Sequence, residues 1–233
     1  MAKQRSKRYQ KAAALVEGGK TYGLDEAVAA VKKFPAPKFD PTVTVSFHLG
    51  VDPRKSDQMV RGSVSLPHGT GKNVRVAVFA AGAAADAATQ AGAEHVGFEE
   101  LIKKVQEGFT DFDVAIATPE AMTEVRKIAR VLGPRGLMPN PKTGTVTDDT
   151  AKAVKEVKAG RIDYKLDKNG NIAGAVGRAS FEDKALVENA QAFIDSVIKA
   201  KPPAAKGNFI RSVTVTAAMS PGVPIESNVF ATI

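Results

Sequence analysis

Residues 64–80 read VSLPHGTGKNVRVAVFA, and they place a segment rich in glycine directly before an apolar run. The pair Gly71-Lys72 resembles the end of a phosphate-binding loop, Gly-x-x-x-x-Gly-Lys-Ser/Thr, which lies between a strand and a helix. Here Leu66 stands at the position of the first glycine and Asn73 at that of the hydroxyl, and the residues that follow predict a strand. The stretch therefore predicts a connection between two domains instead of a nucleotide site.

The distribution of charge supports a domain boundary at this point. The 233 residues carry a formal net charge of +8. Residues 69–160 contain 12 basic and 12 acidic residues, whereas residues 1–68 contain 12 and 6, and residues 161–233 contain 9 and 7. We therefore predict a discontinuous basic domain, residues 1–68 and 161–233, that is interrupted by a neutral inserted domain, residues 69–160. A localised basic surface is typical of proteins that bind nucleic acids.

The neutral insertion is predicted to be an α/β domain, a small parallel sheet with helices on both faces. Apolar runs at residues 74–80, 95–98 and 113–119 predict strands. Helical patterns alternate with these runs, at residues 83–91, 99–108, 119–133 and 148–160. Strands that are apolar throughout, instead of alternating, are typical of parallel sheets that are buried on both faces.

The basic domain is predicted to be α+β. Residues 42–50, TVTVSFHLG, and residues 211–219, RSVTVTAAM, alternate between polar and apolar side chains, which predicts strands with one buried face. The other predicted elements are helices at residues 6–17, 24–34 and 181–201, a strand at 59–66, and a hairpin at 161–177 that turns at Asn169-Gly170. Such a domain has helices on one face of its sheet, and the second face is a candidate open surface.

Two sets of polar side chains share strand faces in this domain: Thr42, Thr44, Ser46 and His48, and Ser212, Thr214 and Thr216. An ordinary solvated sheet face is one interpretation. If the two strands are neighbours, they form a flat field of hydroxyls near several basic residues, which suits RNA because its minor groove is wide and shallow and displays 2′-hydroxyls. Phe39 either stacks on a base or fills the edge of the core. The basic run Lys3, Arg5, Lys7, Arg8 and Lys11 is either a solvated arm or a set of phosphate contacts.

Nothing in the sequence predicts an active site, a metal site or a cofactor. There is no cysteine, and the three histidines lie on different segments without the spacing of metal ligands. The dinucleotide fingerprint Gly-x-Gly-x-x-Gly is absent after the first predicted strand of the insertion. The loop at residues 133–146 either cradles a phosphate or simply closes the insertion. A nucleotide-dependent enzyme that uses the insertion, and a scaffold that recognises only protein, are the rival classes.

No membrane segment is predicted either. The longest apolar run, residues 76–85, is about half as long as a membrane span. The apolar part of the N-terminal region is too short for a signal peptide. We therefore expect a cytoplasmic protein without a membrane partner.

Four stretches together resemble the L-one family of bacterial large-subunit ribosomal proteins: residues 38–72, residues 131–146 (VLGPRGLMPNPKTGTV), residues 158–172 (KAGRIDYKLDKNGNI) and residues 209–216 (FIRSVTVT). The resemblance implies a split α+β domain that grips rRNA and a Rossmann-like three-layer insertion without an active site. It implies binding to a stalk helix of 23S rRNA beside the E site of the 50S subunit, and help in the release of deacylated tRNA from that site. It also implies repression of translation through the protein's own operon mRNA.

The resemblance also implies site residues. Those implied to contact RNA are Lys38, Phe39, Thr42, Arg161, Lys165, Lys168, Ser212, Thr216 and Met219. At the two crossings between the domains, the hinge residues are predicted to be Pro67, Gly69, Gly71 and Gly160. Ala218 and Ser220 stand where the family usually has threonine and glycine, so neither is assigned a contact. The C-terminal residues 220–233 are assigned no role.

Overall fold

The computed structural model describes residues 5–205 and 207–226, which divide into two compact units. The first unit contains the described residues up to Gly71 and from Ile162 onward, and the second contains Lys72–Arg161. These boundaries lie three residues and one residue later in the chain than the boundaries predicted from the charge distribution.

In the described part of the chain, the helices are α1 (Lys7–Ala13), α2 (Leu24–Lys32), α3 (Ala83–Gln90), α4 (Glu99–Gln106), α5 (Met122–Val125), α6 (Ala129–Leu132), α7 (Thr150–Lys158) and α8 (Asp183–Lys199). The strands are β1 (Thr42–Leu49), β2 (Arg61–Ser65), β3 (Val76–Phe79), β4 (His95–Gly97), β5 (Val114–Ala117), β6 (Arg161–Lys165), β7 (Asn171–Arg178), β8 (Ile210–Ala217) and β9 (Val223–Ile225). Short 3-10 helices lie at Ser56–Gln58, Arg126–Ile128 and Pro141–Thr143.

The first unit is built around an antiparallel sheet with the strand order β7-β1-β8-β9. In β1, every second side chain is buried, as the alternation of the sequence predicts. The buried members are Val43, Val45, Phe47 and Leu49. They share one core with apolar residues of α2 and α8, so these helices cover one face of the sheet. Burial of each such side chain contributes roughly 1.5–3 kcal/mol.

Helix α8 carries the aromatic centre of this core. The ring of Phe193 makes edge-to-face contacts with Phe47 and Tyr164, at centroid distances of 5.6 Å and 5.5 Å. Gly174 in β7 lies against the same ring, because a Cβ atom at this position would lie 2.5 Å from Phe193 Cζ. A glycine is therefore required there by close approach, not by a positive φ.

The predicted hairpin at residues 161–177 is wrong, although its turn exists. β6 pairs with β2 in a separate two-stranded sheet, whereas β7 pairs with β1. The chain reverses between Asp167 and Asn171, where the Asp167 N–H donates to the Asn171 carbonyl (2.9 Å). The Leu166 N–H donates instead to the carbonyl of Val60, and the Tyr164 hydroxyl donates to the carbonyl of Ser196 in α8. Packing of β6 against α8 thus separates it from β7.

The second unit has a parallel sheet with the strand order β4-β3-β5. All four residues of the central strand β3 are buried. Ala77 and Phe79 pack into a core with α4, α5 and α6, whereas Val76 and Val78 pack on the opposite face into a core with α3 and α7. This confirms the predicted three-layer α/β insertion.

Two predicted helices are shorter or less regular than their sequence patterns indicate. The pattern at residues 119–133 forms α5, a 3-10 turn and α6, and the backbone leaves helical geometry at Ile128 (φ −96°, ψ 8°). Thr118 caps the start of α5, because its hydroxyl and carbonyl accept hydrogen bonds from the N–H groups of Ala121 and Met122. The first helix ends at Ala13 instead of residue 17. The following N–H groups of Leu15 and Val16 bind carbonyls three residues back, which is the tighter 3-10 pattern.

Candidate functional site

The two sets of hydroxyls predicted from the sequence lie on adjacent strands. In the antiparallel register of β1 and β8, Thr44 is opposite Thr216, Ser46 opposite Thr214, and His48 opposite Ser212. On the other side of β1, β7 places Asn171, Ala173 and Ala175 opposite His48, Ser46 and Thr44. We call this surface the open face; its residues are Thr42, Thr44, Ser46, His48, Asn171, Ala173, Ala175, Ser212, Thr214 and Thr216. All of them are partly or fully exposed.

One end of the open face is fixed by the turn that precedes β7. The Asp167 carboxylate accepts hydrogen bonds from the N–H groups of Asn169 (2.8 Å) and Asn171 (2.7 Å). These bonds, the one from Asn171 foremost, outweigh partial desolvation and lower the pKa of Asp167. His48 Nδ1 donates to Asn171 Oδ1 (2.8 Å), which joins the turn to β1. Lys168 lies exposed in this ordered turn.

Ser212 is exposed at the same end because β8 contains an irregularity there. The register shifts between His48 and Leu49, so that Leu49 is opposite Ile210 and Arg211 is the extra residue. Arg211 and Ser212 are therefore both exposed, whereas Ile210 and Val213 are both buried. The irregularity adds a cation beside the hydroxyl of Ser212.

The other end of the open face carries two exposed apolar side chains. Phe39 is 47% exposed and Met219 is 68% exposed. The Ala218 N–H donates to the carbonyl of Thr42 (2.9 Å), which places Met219 directly after the end of the β1–β8 pairing. Lys38 is exposed next to Phe39. We call this part of the surface, with residues Lys38, Phe39, Thr42, Thr216 and Met219, the Phe39 end.

Ser220 has a structural role at the Phe39 end. Its Oγ accepts a hydrogen bond from the Ala217 N–H (3.0 Å) and donates to the Ala217 carbonyl (2.8 Å). The Met219 carbonyl accepts a hydrogen bond from Nη2 of Arg8 (2.8 Å), a member of the basic N-terminal run. Lys3 of that run lies outside the described residues.

Sequence reasoning missed the cations that the strand pairing brings to this surface. Arg178 of β7 lies opposite Thr42, and its Nε and Nη1 donate to the carbonyls of Gly71 (3.1 Å) and Asp40 (3.4 Å). The Asp40 carboxylate accepts hydrogen bonds from the N–H and hydroxyl of Ser180. Arg211 falls within the predicted strand at residues 211–219, and Arg178 directly follows the predicted hairpin at residues 161–177. A cation at the end of a polar-faced strand is therefore the sequence signal that was available.

Arg161 and Lys165 do not belong to the four-stranded sheet. Both lie on β6, in the two-stranded sheet. The Arg161 side chain is only 12% exposed; its Nη1 binds Glu156 Oε2 at 2.9 Å and its Nη2 binds the carbonyl of Thr143. Its charge is thus paired within the second unit, and its strand is not part of the sheet that carries the hydroxyls. Lys165 is exposed on β6.

Two of the predicted hinge residues of the outgoing crossing, Gly69 and Gly71, are held by hydrogen bonds within the first unit. Asn189 of α8, which is fully buried, accepts a hydrogen bond from the His68 N–H (3.0 Å) and donates to the carbonyl of Gly69 (3.0 Å). The Arg178 guanidinium holds the Gly71 carbonyl, and the Arg75 N–H binds Asp113 in the second unit (3.1 Å). The short span of residues 72–74 thus lies between Gly71, which is fixed in the first unit, and Arg75, which is fixed in the second. It follows the predicted hinge residues Pro67, Gly69 and Gly71.

The return crossing is direct. Gly160 has φ +106° and ends α7, with its N–H donating to the Val157 carbonyl (3.2 Å). Arg161 follows as the first residue of β6. A backbone conformation with positive φ at the end of a helix favours glycine.

Several polar groups of the loop at residues 133–146 bind one another. The Asn140 N–H donates to Thr145 Oγ1 (2.8 Å), and the Asn140 carbonyl accepts from the hydroxyls of Thr143 (3.1 Å) and Thr145 (3.2 Å). Thr143 and Thr145 are buried. These contacts favour the closing loop over a phosphate cradle.

The remaining classes of site were searched for in the residues that the structure describes. There, no group of three or more histidine, aspartate or glutamate side chains is arranged to hold a metal ion. No described helix combines the length and the apolar character needed to cross a membrane.

The first unit thus carries an open sheet face of hydroxyls with cations and exposed apolar side chains at its ends, which is a candidate binding surface. The first unit, which carries this face, contains 20 basic and 13 acidic residues. The Ribosomal protein L1p/L10e family matches residues 31–221, and the chain belongs to this family.

Curated relatives agree with this membership over almost the whole chain. "Large ribosomal subunit protein uL1" of Salinispora tropica is 55% identical over 226 residues, which cover 97% of this chain and 95% of the relative. The proteins of the same name from Thermobifida fusca and Bifidobacterium longum subsp. infantis are 51% and 53% identical, and cover 97% and 98% of this chain and 96% and 99% of their own lengths. The predicted resemblance, and the prediction that the protein is a cytoplasmic ribosomal protein and not an enzyme, are confirmed.

Proposed function

We propose that this protein is a constituent of the large ribosomal subunit and binds 23S rRNA through the open face. The observation that carries the proposal is the pairing of β1 with β8, which joins two rows of hydroxyls into one surface. Hydroxyls on a flat surface match the shallow minor groove of RNA, where 2′-hydroxyls and phosphates are accessible. The excess positive charge of the same unit supplies the electrostatic attraction that phosphates require.

The residues of the Phe39 end and the turn end have different roles in this proposal. Phe39 offers an exposed ring for stacking or for packing against a sugar, and Met219 offers a second apolar contact. Thr42, Thr216 and Ser212 hydrogen-bond to the RNA backbone and 2′-hydroxyls. Cations contact phosphates: the exposed Lys38, Lys165, Lys168 and Arg211, and the half-buried Arg178. Arg161 is left out of the contact set because its guanidinium is paired with Glu156.

The family resemblance supports a more specific assignment, in which the RNA is the stalk helix beside the E site. In this assignment the protein helps to move and release deacylated tRNA. The same open face then binds a mimic of the stalk helix in the protein's own operon mRNA and represses its translation. Because one face serves both RNAs, rRNA and operon mRNA should compete for the protein.

We also propose that bending between the units, which tRNA handling requires, is concentrated at residues 72–74. The residues on either side are fixed, since Asn189 and Arg178 hold His68, Gly69 and Gly71, and Asp113 holds Arg75. Pro67, Gly69 and Gly71 then shape the crossing but do not bend, and Gly160 shapes the return crossing.

The test is a gel-shift titration of the full chain with a stalk-helix RNA at several salt concentrations. Each phosphate contact should contribute about 0.7–0.9 to the slope of log affinity against log salt. Phe39→Ala and Ser212→Ala should weaken binding without changing the melting temperature. Met59→Ala and Ser65→Ala are matched controls, because Met59 is similarly exposed (45%) and Ser65 is an exposed hydroxyl on β2.

Three outcomes would each contradict a part of the proposal. If the wild-type protein shows no salt-dependent binding, the hypothesis that it binds RNA is refuted. Normal binding by both open-face variants would show that the hydroxyls form only a solvated sheet face. If added operon mRNA does not displace the stalk RNA, the proposal that both RNAs bind the same face is contradicted.

A further inference from the structure

Arg8 makes contacts that the basic N-terminal run does not predict. Its Nη2 donates to the Met219 carbonyl (2.8 Å) and its Nη1 to the Pro35 carbonyl (3.3 Å). Pro35 begins the segment that leads to Phe39, so a single guanidinium joins the two chain segments of the Phe39 end. Helix α1, which carries Arg8, is itself fixed by the buried side chain of Ala12. The planar guanidinium can hold two acceptors in a fixed geometry, which the lysine ammonium cannot do.

Met219 has a backbone conformation that needs such support. Its φ is +61°, and among the described residues it is the only one besides glycine with a positive φ. Side-chain-bearing residues disfavour this region because Cβ approaches the neighbouring carbonyl. The side chain is 68% exposed, so core packing does not explain the conformation. Two neighbouring side chains explain it, since Ser220 closes the turn by a hydrogen bond with Ala217 and Arg8 binds the Met219 carbonyl. Maintained strain at an exposed residue points to a functional role for its position.

We propose that Arg8 is a positioning residue for RNA binding. Its two hydrogen bonds hold the Met219 turn and the start of the Phe39 segment, so that both apolar side chains stand at fixed places before RNA arrives. The inference rests on the proposed function of the open face and assigns a residue to it outside the strands. It differs from a phosphate contact, because here the guanidinium acts through Met219 and Phe39.

The first test compares Arg8→Gln with Lys11→Gln in the full chain, by the same titration with stalk-helix RNA. Lys11 lies exposed on the same helix and loses the same charge. Arg8→Gln should weaken binding about three- to tenfold, the range expected when a side chain must be ordered on binding. The salt slope should stay at the wild-type value. A slope that falls by about 0.7–0.9 would make Arg8 a phosphate contact and overturn the proposal. Equal losses of affinity in both variants would also overturn it.

Arg8→Lys separates geometry from charge. Lysine keeps the positive charge but not the planar two-donor group, so its affinity should stay near that of Arg8→Gln. Full wild-type affinity for Arg8→Lys would show that charge alone matters, and would contradict the inference.

The second test needs no RNA. In protein labelled at the methionine methyl groups, the Met219 signal, assigned with Met219→Leu, should shift in Arg8→Gln while the protein stays folded at the temperature of the measurement. An unchanged Met219 signal would show that Arg8 does not hold the turn. This measurement also separates the two hypotheses: if the wild-type protein does not bind RNA, the proposed function fails, whereas an unchanged signal refutes only the role of Arg8.

Discussion

Replacement of Asn189 by alanine should strongly destabilise the first unit. The Asn189 side chain is fully buried and makes three hydrogen bonds: it accepts from the His68 N–H (3.0 Å) and donates to the carbonyls of Gly69 (3.0 Å) and Val176 (2.8 Å). Asn189→Ala removes all three and leaves their partners unsatisfied in a site that the amide had filled. The variant therefore tests how firmly the outgoing crossing is bound to α8.

The size of the effect follows from these contacts. Each hydrogen bond contributes about 0.5–1.5 kcal/mol net, so three give about 1.5–4.5 kcal/mol. For a protein of this length, 1 kcal/mol corresponds to roughly 2–4 °C in the melting temperature. We expect Asn189→Ala to melt about 5–15 °C below the wild type.

Thermal unfolding followed by circular dichroism measures this difference. Gln191→Ala, an exposed position on the same helix, is the control and should change the melting temperature little. Asn189→Asp keeps the acceptor for His68 but turns a carboxylate toward two carbonyls, so it should be less stable than Asn189→Ala at pH 7. The stability of Asn189→Asp should recover partly at low pH, where protonation of the carboxylate restores a hydrogen-bond donor. A wild-type melting temperature for Asn189→Ala would refute the reasoning.

Three further predictions concern the core, the turn and the division into units. Gly174→Ala should cost about 1–3 kcal/mol in chemical unfolding, because its new Cβ would overlap the Phe193 ring; a smaller loss would mean that the ring can move aside. The lowered pKa of Asp167 should appear in an NMR titration. The ionised carboxylate stabilises the folded state above the unfolded pKa of about 4, and this stability should be lost as the pH falls through the lower folded pKa. Asp167→Ala should lack this dependence of stability on pH. A chain in which a short glycine–serine linker replaces residues 72–161 should keep most of the affinity for stalk RNA, and a folded deletion variant that binds no RNA would contradict the assignment of the site to the first unit.

Features that depend on local periodicity could be predicted from the sequence. The alternation in residues 42–49 predicts both the strand and its buried face, because side chains in a strand point to opposite faces in turn. The continuous apolar run at residues 76–79 predicts the fully buried central strand of the second unit for the corresponding reason. The hydroxyl rows of the open face belong to this class.

Features that depend on distant partners could not be predicted in the same way. The sequence at residues 161–177 looks like a hairpin, but the packing of Tyr164 on α8 takes β6 to a different sheet from β7. Arg161 looks like an available cation until Glu156 and the Thr143 carbonyl are placed beside it. The exposure of Arg211 follows from a register shift that depends on β1. Each case depends on contacts that the periodicity of the segment itself does not show.

The position of β1 between β7 and β8 has a consequence for the order of synthesis. β1 ends at Leu49, whereas β7 begins at Asn171 and β8 ends at Ala217, so both hydrogen-bonded edges of β1 wait for strands made much later. At about 5–20 residues per second, the ribosome needs roughly 8–34 s to extend the chain from Leu49 to Ala217. The strands of the second unit lie next to one another in the chain and can pair during this delay. The open face is therefore assembled last, and a nascent chain that stops before β8 lacks both Ser212 and the strand that completes the sheet. Under the proposed function, only finished molecules can then compete for RNA.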